Sequence, residues 1–234
     1  LGHSYMDLFK NKRILITGGT GSFGTAFTKG LLNCYDFEQL VIYSRDEFKQ
    51  YNMKNELIRK YGSALEKKVL FFIGDVRDQK RMKQAFSGVD YVIHTAAMKH
   101  VPICENHPFE AVKTNIHGAE NVIETAMECG VKKVVALSTD KAVHPINLYG
   151  GTKLVSDKLF IAANGYQNAK DTVFSIVRYG NVAGSRGSII PLFQKLVRAG
   201  EDSLPITDFR MSRFWITLDQ GIDLVLRALE EARG

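Results

Sequence analysis

Tyr149 and Lys153 stand four residues apart in Tyr149-Gly150-Gly151-Thr152-Lys153, a spacing that sets both side chains on one face of a helix. A phenol ionises near pH 10, so Tyr149 is a useful base at neutral pH only if a neighbouring cation favours its phenolate. Lys153 is such a cation. Tyr-x-x-x-Lys alone is a common pattern. Its weight here comes from Ser138-Thr139-Asp140-Lys141, which closes an apolar run shortly upstream and brings hydroxyl, carboxyl and amine groups to the same part of the chain.

A second constellation is Thr17-Gly18-Gly19-Thr20-Gly21-Ser22-Phe23-Gly24, between a short apolar run and a helical pattern. Glycines there let a backbone approach a pyrophosphate at a helix N-terminus, so the loop reads as a dinucleotide site. Gly18, Gly21 and Gly24 fit G-x-x-G-x-x-G, and Gly19, Gly21 and Gly24 fit G-x-G-x-x-G, so spacing does not choose between them. The next run ends in Ser44-Arg45-Asp46-Glu47, with Lys49 following. An acidic residue here would hold a ribose 2′-hydroxyl, as in NAD, whereas Arg45 and Lys49 suit a 2′-phosphate. NADP is therefore the expected cofactor, with Asp46 keeping NAD as the alternative. Ser44 and Glu47 also fit a helix capping box. Asp75, in Gly74-Asp75-Val76-Arg77-Asp78, is placed where an adenine amino group is read; Asp78 is expected to cap the following helix.

These groups need strands and helices to hold them. The runs Arg13 to Thr17, Leu40 to Tyr43, Val69 to Ile73, Tyr91 to Thr95, Val134 to Ser138 and Val173 to Tyr179 predict strands buried on both faces. Helical patterns alternate with them, at Glu47 to Tyr61, Gln79 to Phe86 and Pro108 to Cys129, with Pro108 in a first turn and Gly130 as the stop. The expected fold is α/β, a Rossmann-like doubly wound parallel sheet over residues 6–180. Near Asn181 the alternation ends. Residues 181–234 are expected to form part of a substrate-binding region, with a helix at Ile189 to Ala199, an extended Leu204 to Thr207 and a last helix from Leu218 to Arg233. Leu1 to Tyr5 read as an expression scar ahead of a start at Met6, and a stop at Gly234 suggests a chain that continues.

Composition bounds the rest. With 234 residues, 45% hydrophobic and 24% charged, the chain can bury roughly 70% of its extended surface and is neither disordered nor a stapled mini-protein. A net charge of +6 suits anionic small ligands, and no arginine-rich arm or nucleic-acid motif accompanies it. No apolar run approaches the roughly 20 residues of a spanning helix. Cys34, Cys104 and Cys129 form no paired framework, so a reducing cytoplasmic setting is expected. His94, His100, His107, His117 and His144 share no metal-ligand spacing, and no metal is expected; Met82, Met98 and Met127 read as filler.

The dinucleotide loop, Asn115-Ile116-His117-Gly118, Ser138-Thr139 and Tyr149/Lys153 together resemble the extended short-chain dehydrogenase/reductases. More narrowly, the chain resembles the bacterial UDP-N-acetylglucosamine 4,6-dehydratases, in the inverting form of flagellin-modifying pseudaminic acid synthesis. The segments that carry this likeness are Ser44 to Glu47, Gly74 to Asp78, Ala96-Ala97-Met98-Lys99-His100-Val101-Pro102, Leu137 to Lys141, Arg178-Tyr179-Gly180-Asn181-Val182 and Ser185-Arg186-Gly187-Ser188. Thr139-Asp140-Lys141 stands where dehydratases of dTDP-glucose usually have Thr-Asp-Glu, and Tyr149 stands where some capsule-pathway relatives have methionine. Departures are Thr95 and Met98 where Ala and Leu are common, extra residues around Tyr61 to Lys67, and a short C-terminal region.

The resemblance implies that Tyr149 takes the proton of the sugar 4-hydroxyl as hydride passes to NADP, with Lys153 holding the phenolate and the nicotinamide ribose. Thr139 would bond the 4-hydroxyl, although a strand-end turn also suits it. Lys141 would remove the C5 proton if burial and nearby cations lower its pKa, and Asp140 would protonate the departing 6-hydroxyl if its own is raised. Besides Tyr149 and Lys153, the implied cofactor contacts are Gly18, Thr20, Gly21, Ser22, Phe23, Gly24, Ser44, Arg45, Asp46, Glu47, Lys49, Asp75, Val76, Thr95, Ala96 and Lys99. The implied UDP-N-acetylhexosamine contacts are Lys99, Leu137, Ser138, Asn181, Arg186 and Arg213, with Arg210 an alternative to Arg213. A homo-oligomer, dimer or hexamer, is expected through helices flanking the fourth and fifth strands. The competing readings are a UDP-sugar 4-epimerase, which needs no Asp-Lys pair, and a non-catalytic NADP-binding sensor or scaffold.

Overall fold

Ile14 and Ile16 enter one apolar layer and Leu15 the other, which requires a strand with covered faces on both sides. In the computed structural model, which describes residues 5, 7–166, 171–183, 189–206 and 208–233, this strand is β1 (Arg13–Thr17). After it come α1 (Ser22–Cys34), β2 (Gln39–Ser44), α2 (Glu47–Tyr61), α3 (Leu65–Lys68), β3 (Val69–Ile73), α4 (Gln79–Phe86) and β4 (Tyr91–His94). Next are α5 (Val101–Asn106), α6 (Pro108–Val112), α7 (Gly118–Glu128), β5 (Lys133–Thr139), α8 (Leu148–Ala163) and β6 (Val173–Tyr179). The remaining elements are β7 (Asn181–Val182), α9 (Ile189–Arg198), β8 (Trp215–Ile216) and α10 (Leu218–Glu231).

β1 to β6 form one six-stranded parallel sheet in the order β3-β2-β1-β4-β5-β6. The chain direction across the sheet reverses between β1 and β4, and such a switch point opens a crevice at the C-terminal strand ends. α1, α2 and α10 cover one face through Phe27, Leu31, Leu57, Val225 and Leu226. On the other face lie α4, α7 and α8, through Phe86, Val122, Ala126 and Phe160.

Several expectations are corrected. β3 is not covered on both faces: it is an edge strand, with Leu70 and Ile73 exposed. Ser44 does not cap α2. It ends β2, buried, and Asp46 is the cap, its carboxylate accepting from the Lys49 N–H at 2.9 Å. The helix read as one from Pro108 to Cys129 is interrupted by a π-helical turn at Lys113–His117, although Pro108 does open it and Gly130 closes it at φ 68°. Leu204 to Ile206 form no strand, and Thr207 lies outside the described residues. The core also crosses the boundary placed at Asn181, because Ile222, Val225, Leu226 and Leu229 of α10 are buried in the same layer as β1 and α1. Lys133 holds that helix, donating from Nζ to the Leu229 carbonyl at 2.6 Å.

Candidate active site

Four strand ends, those of β1, β4, β2 and β3, assemble the first part of the crevice. β1 runs into Gly18 at φ 65°, a left-handed turn, and a Cβ there would sit 2.7 Å from Thr95 Oγ1 and 2.9 Å from the Ala96 nitrogen. The close approach is locked by Thr17, whose Oγ1 accepts from the N–H groups of Thr95 (3.1 Å) and Ala96 (3.3 Å), while Thr95 Oγ1 donates to the Thr17 carbonyl at 2.6 Å. Thr17 Oγ1 also bonds His94 Nδ1 at 2.8 Å. Burial holds the His94 imidazole down at about 3, with the Lys153 charge acting in the same direction, so its ring is neutral.

α1 opens at Gly21 with no side-chain cap, and the amides of its first turn aim along the helix axis toward the loop. That geometry fits a pyrophosphate. Thr20 is buried beside it. The Phe23 side chain takes no part in the crevice: it is stacked on Phe27 in the core, 6.0 Å between centroids, leaving only its backbone for a ligand.

At the ends of β2 and β3, charge is paired across the crevice rim. The Asp46 carboxylate binds the Lys49 ammonium at 2.9 Å as well as capping α2, and those hydrogen bonds hold it below the usual carboxylate range. Burial raises Asp75, but hydrogen bonds from the Arg77 side chain and backbone outweigh it and hold the acid low. Arg45 reaches Asp75 at 3.6 Å. Glu47 is exposed in the first turn of α2. The Val76 side chain belongs to the core, and its carbonyl accepts from Asn121 at 2.9 Å.

The second part of the crevice lies at the end of β5. Thr139 ends that strand, and a 3₁₀ turn at Asp140–Ala142 follows. Asp140 Oδ1 accepts from Thr139 Oγ1 at 3.1 Å and from Lys141 Nζ at 3.2 Å; Lys141 Nζ also donates to Asn181 Oδ1 at 3.1 Å. The chain returns through α8, capped by Asn147 on the Gly150 N–H and by Glu105 on the Leu148 N–H at 2.7 Å. Gly150 is essential to this contact. A Cβ at that position would overlap the Lys141 carbonyl. The turn bearing Asp140 and Lys141 therefore packs directly on the helical turn bearing Tyr149.

Tyr149 and Thr139 share a side-chain hydrogen bond, which favours the phenolate, but burial dominates and pushes the phenol up to about 12. The Lys153 ammonium is buried and donates to the Leu137 carbonyl at 2.7 Å. Burial lowers it to about 8, opposed by the charge of Asp157. Asp157 is 1% exposed and accepts from Ser138 Oγ and Arg178 Nε, both at 2.8 Å.

The predicted site residues thus separate. Thr139, Asp140, Lys141, Tyr149, Lys153 and Asn181 converge, and the glycine loop meets Thr95 and Ala96. Lys99 lies in the loop after β4, exposed. Leu137 and Ser138 are engaged within the protein: the Leu137 side chain is core, its carbonyl is taken by Lys153, and the Ser138 hydroxyl is bonded to Asp157. Arg213 touches its own neighbours, the Ser212 carbonyl and Met211 Sδ, while Arg210 is held by Asp208 at 2.8 Å. Arg186 lies outside the described residues. Sequence reasoning passed over Thr17, Glu105 and Asp157 as site residues; Asp157, one helical turn beyond Lys153, is the one that spacing alone could have found.

A family model described as polysaccharide biosynthesis protein matches residues 14–234. The chain belongs to that family. Within it, a relative is the UDP-N-acetylglucosamine 4,6-dehydratase (inverting) of Campylobacter jejuni subsp. jejuni, 56% identical over 97% of this chain and 66% of that protein. A UDP-glucose 4-epimerase of Rickettsia conorii is 47% identical over 95% of this chain and 64% of its own. The chain therefore spans about two thirds of the length of these curated relatives, 66% and 64%. Among solved structures, Pen from Bacillus thuringiensis superposes with a TM-score of 0.89 at 41% identity, covering 97% of this chain and 67% of that one. DesIV, a dTDP-glucose 4,6-dehydratase from Streptomyces venezuelae, shares the fold with a TM-score of 0.83 at 24% identity, over 95% of this chain and 73% of its own.

Proposed function

We infer that the chain carries the catalytic region of a C5-inverting UDP-N-acetylglucosamine 4,6-dehydratase, a hydro-lyase of the pseudaminic acid, flagellin-modifying type. The observation that carries this reading is the packing of Asp140 and Lys141 against the turn that holds Tyr149. A 4-epimerase needs only the tyrosine and lysine, whereas elimination of water across C5 and C6 needs an additional acid and base. The 56% identity to an inverting dehydratase agrees with it.

The cofactor is proposed to be NADP. The first-turn amides of α1 would hold its pyrophosphate, and the exposed Arg45 and Lys49, exchanging their bonds to Asp75 and Asp46 for the ligand, its 2′-phosphate, while the Asp46 carboxylate stays engaged as the cap of α2. Bound nicotinamide would accept a hydride from the sugar C4 and return it to C6. Tyr149 removes the 4-hydroxyl proton, favoured by Thr139 and by the Lys153 charge. Once C4 is a ketone the C5 proton is acidic; Lys141 takes it, Asp140 protonates the leaving 6-hydroxyl, and water departs; return of hydride to C6 would be matched by a proton delivered to C5 from the opposite face, which inverts that centre. Lys141 and Asp140 must exchange their mutual bond for substrate, as catalytic hydrogen bonds often tighten only in the complex.

Exposed Ile103, Phe109, Val155 and Ile161 on α5, α6 and α8 support a homo-oligomer. Among the described residues no helix is long and apolar enough to cross a membrane, which suits a cytoplasmic enzyme. The test is incubation of the full-length protein with UDP-N-acetylglucosamine and catalytic NADP⁺, read by NMR and mass spectrometry. Loss of one water with a 4-keto-6-deoxy spectrum and C5 inversion is expected; unchanged mass with a C4 epimer overturns the reading in favour of the epimerase. Lys141→Ala releasing product at the parent rate would remove Lys141 as the base.

A further inference from the structure

Asp157 is a buried carboxylate that the reaction does not consume. Its place is specific: on α8, four residues after Lys153 and therefore on the same helical face, with Ser138 of β5 and Arg178 of β6 both bonded to it at 2.8 Å. Lys153 lies in the same layer, anchored to Leu137, the strand neighbour of Ser138. The carboxylate thus ties together the two strands and the helix that meet under Tyr149. It is also the acidic group that acts on the buried Lys153.

We propose that Asp157 is a positioning residue that keeps Lys153 in its ammonium form beneath Tyr149, with Ser138 and Arg178 holding the carboxylate in place. An ammonium taken out of water loses its solvation, and without a counter-charge it sheds its proton. A neutral Lys153 would still fill its space and accept or donate a hydrogen bond, but it would no longer favour the phenolate. The groups that act on or with Lys153 from the packed elements are His94 of β4, which is neutral, Asp157 of α8, and, behind Asp157, Arg178 of β6; Tyr149 is its neighbour one helical turn before it on α8. Asp157 is therefore the one negative partner among the described residues that act on it. Its effect on Tyr149 is opposite in sign, raising the phenol, so the carboxylate is useful only through the lysine and Arg178 limits its reach. The proposal rests on the reading of Lys153 as the cation that serves Tyr149, and it does not depend on which sugar is bound.

The experiment is an NMR titration of the full-length protein with lysine labelled at the ε-carbon, Lys153 being assigned by its loss in Lys153→Met. In Asp157→Asn the Lys153 midpoint should fall by about one pH unit or more relative to the parent, the size expected for losing a nearby charge in a partly shielded interior. Asp157→Glu, which keeps the charge, should restore most of it. If Asp157→Asn does not fold, the double variant Asp157→Asn/Arg178→Gln removes the stranded cation, and the same downward shift is expected. An unchanged midpoint in a folded variant that lacks the carboxylate overturns the proposal, since a purely structural role would alter stability without moving the titration. Failure of the parent to dehydrate UDP-N-acetylglucosamine would sink the functional reading separately, without touching this result.

Discussion

Burial acts on Tyr149 and Lys153 in the same physical way and with opposite effect on their charges' usefulness. It raises the phenol to about 12 and lowers the ammonium to about 8, so each charged form is disfavoured alone. In the proposed reaction the ammonium would offset the phenolate, since opposite charges held close in a buried site favour each other's charged form. The consequence for stability has a definite sign. Lys153 is depressed from its ordinary 10.5, so between pH 8 and 10.5 the unfolded chain binds the extra proton and stability contributed by this residue rises with pH. The stability of the parent relative to Lys153→Met should therefore increase by about 3 kcal/mol across that window in urea unfolding. A difference that stays flat with pH would mean that Lys153 is solvated. These two residues were legible from their spacing. Ser138 was misread for a physical reason: a strand end offers alternate side chains to opposite sides, and only the packed sheet shows that the serine turns toward Asp157 while Thr139 turns toward Tyr149.

The elements decide how closely these groups meet. α8 begins with two caps from different sources, Asn147 beside it and Glu105 from α5, so its first turn is held at the point where Tyr149 projects. Gly150 then lets the Asp140–Ala142 turn lie directly against that helix. Gly150→Ala should push the turn away, and turnover should fall by tenfold or more, beyond what the fraction of folded protein explains. Steady-state rates compared at equal folded fraction check this; an alanine variant with parent activity would show that the contact has slack. The π-helical turn at Lys113–His117 works in a similar way, placing Asn115 so that its amide pairs with both backbone groups of Met98 and with Thr152 of α8. Its helical frame was readable from Pro108 and Gly130. The extra residue in the turn was not, since apolar periodicity cannot distinguish a wide turn from a regular one.

Across the whole molecule, the last helix is the element whose role changes most once it is packed. α10 seals the α1 face of the sheet with Ile222, Val225, Leu226 and Leu229, and a capping box at Thr217 and Gln220 starts it. Leu226 is fully buried, so Leu226→Ala should cost about 2–5 kcal/mol in global stability, measured by denaturant unfolding. A cost under 1 kcal/mol would place α10 outside the cooperative core. Around it, β7 and β8 pair in a small parallel ladder, while α9 has no buried residue among those described.

The fold class, the six strands, the dinucleotide loop and the Tyr149/Lys153 pair were set by local sequence, because apolar periodicity, glycine placement and four-residue spacing each act over one element. Long-range packing decided what remained: that Phe23, Leu137 and Val76 belong to the core, that Ser138 and Arg178 bind Asp157, and that α10 closes the sheet. Those contacts join residues separated by other elements, and the free energy that selects them is the burial of surface shared between elements, which no single stretch of sequence contains.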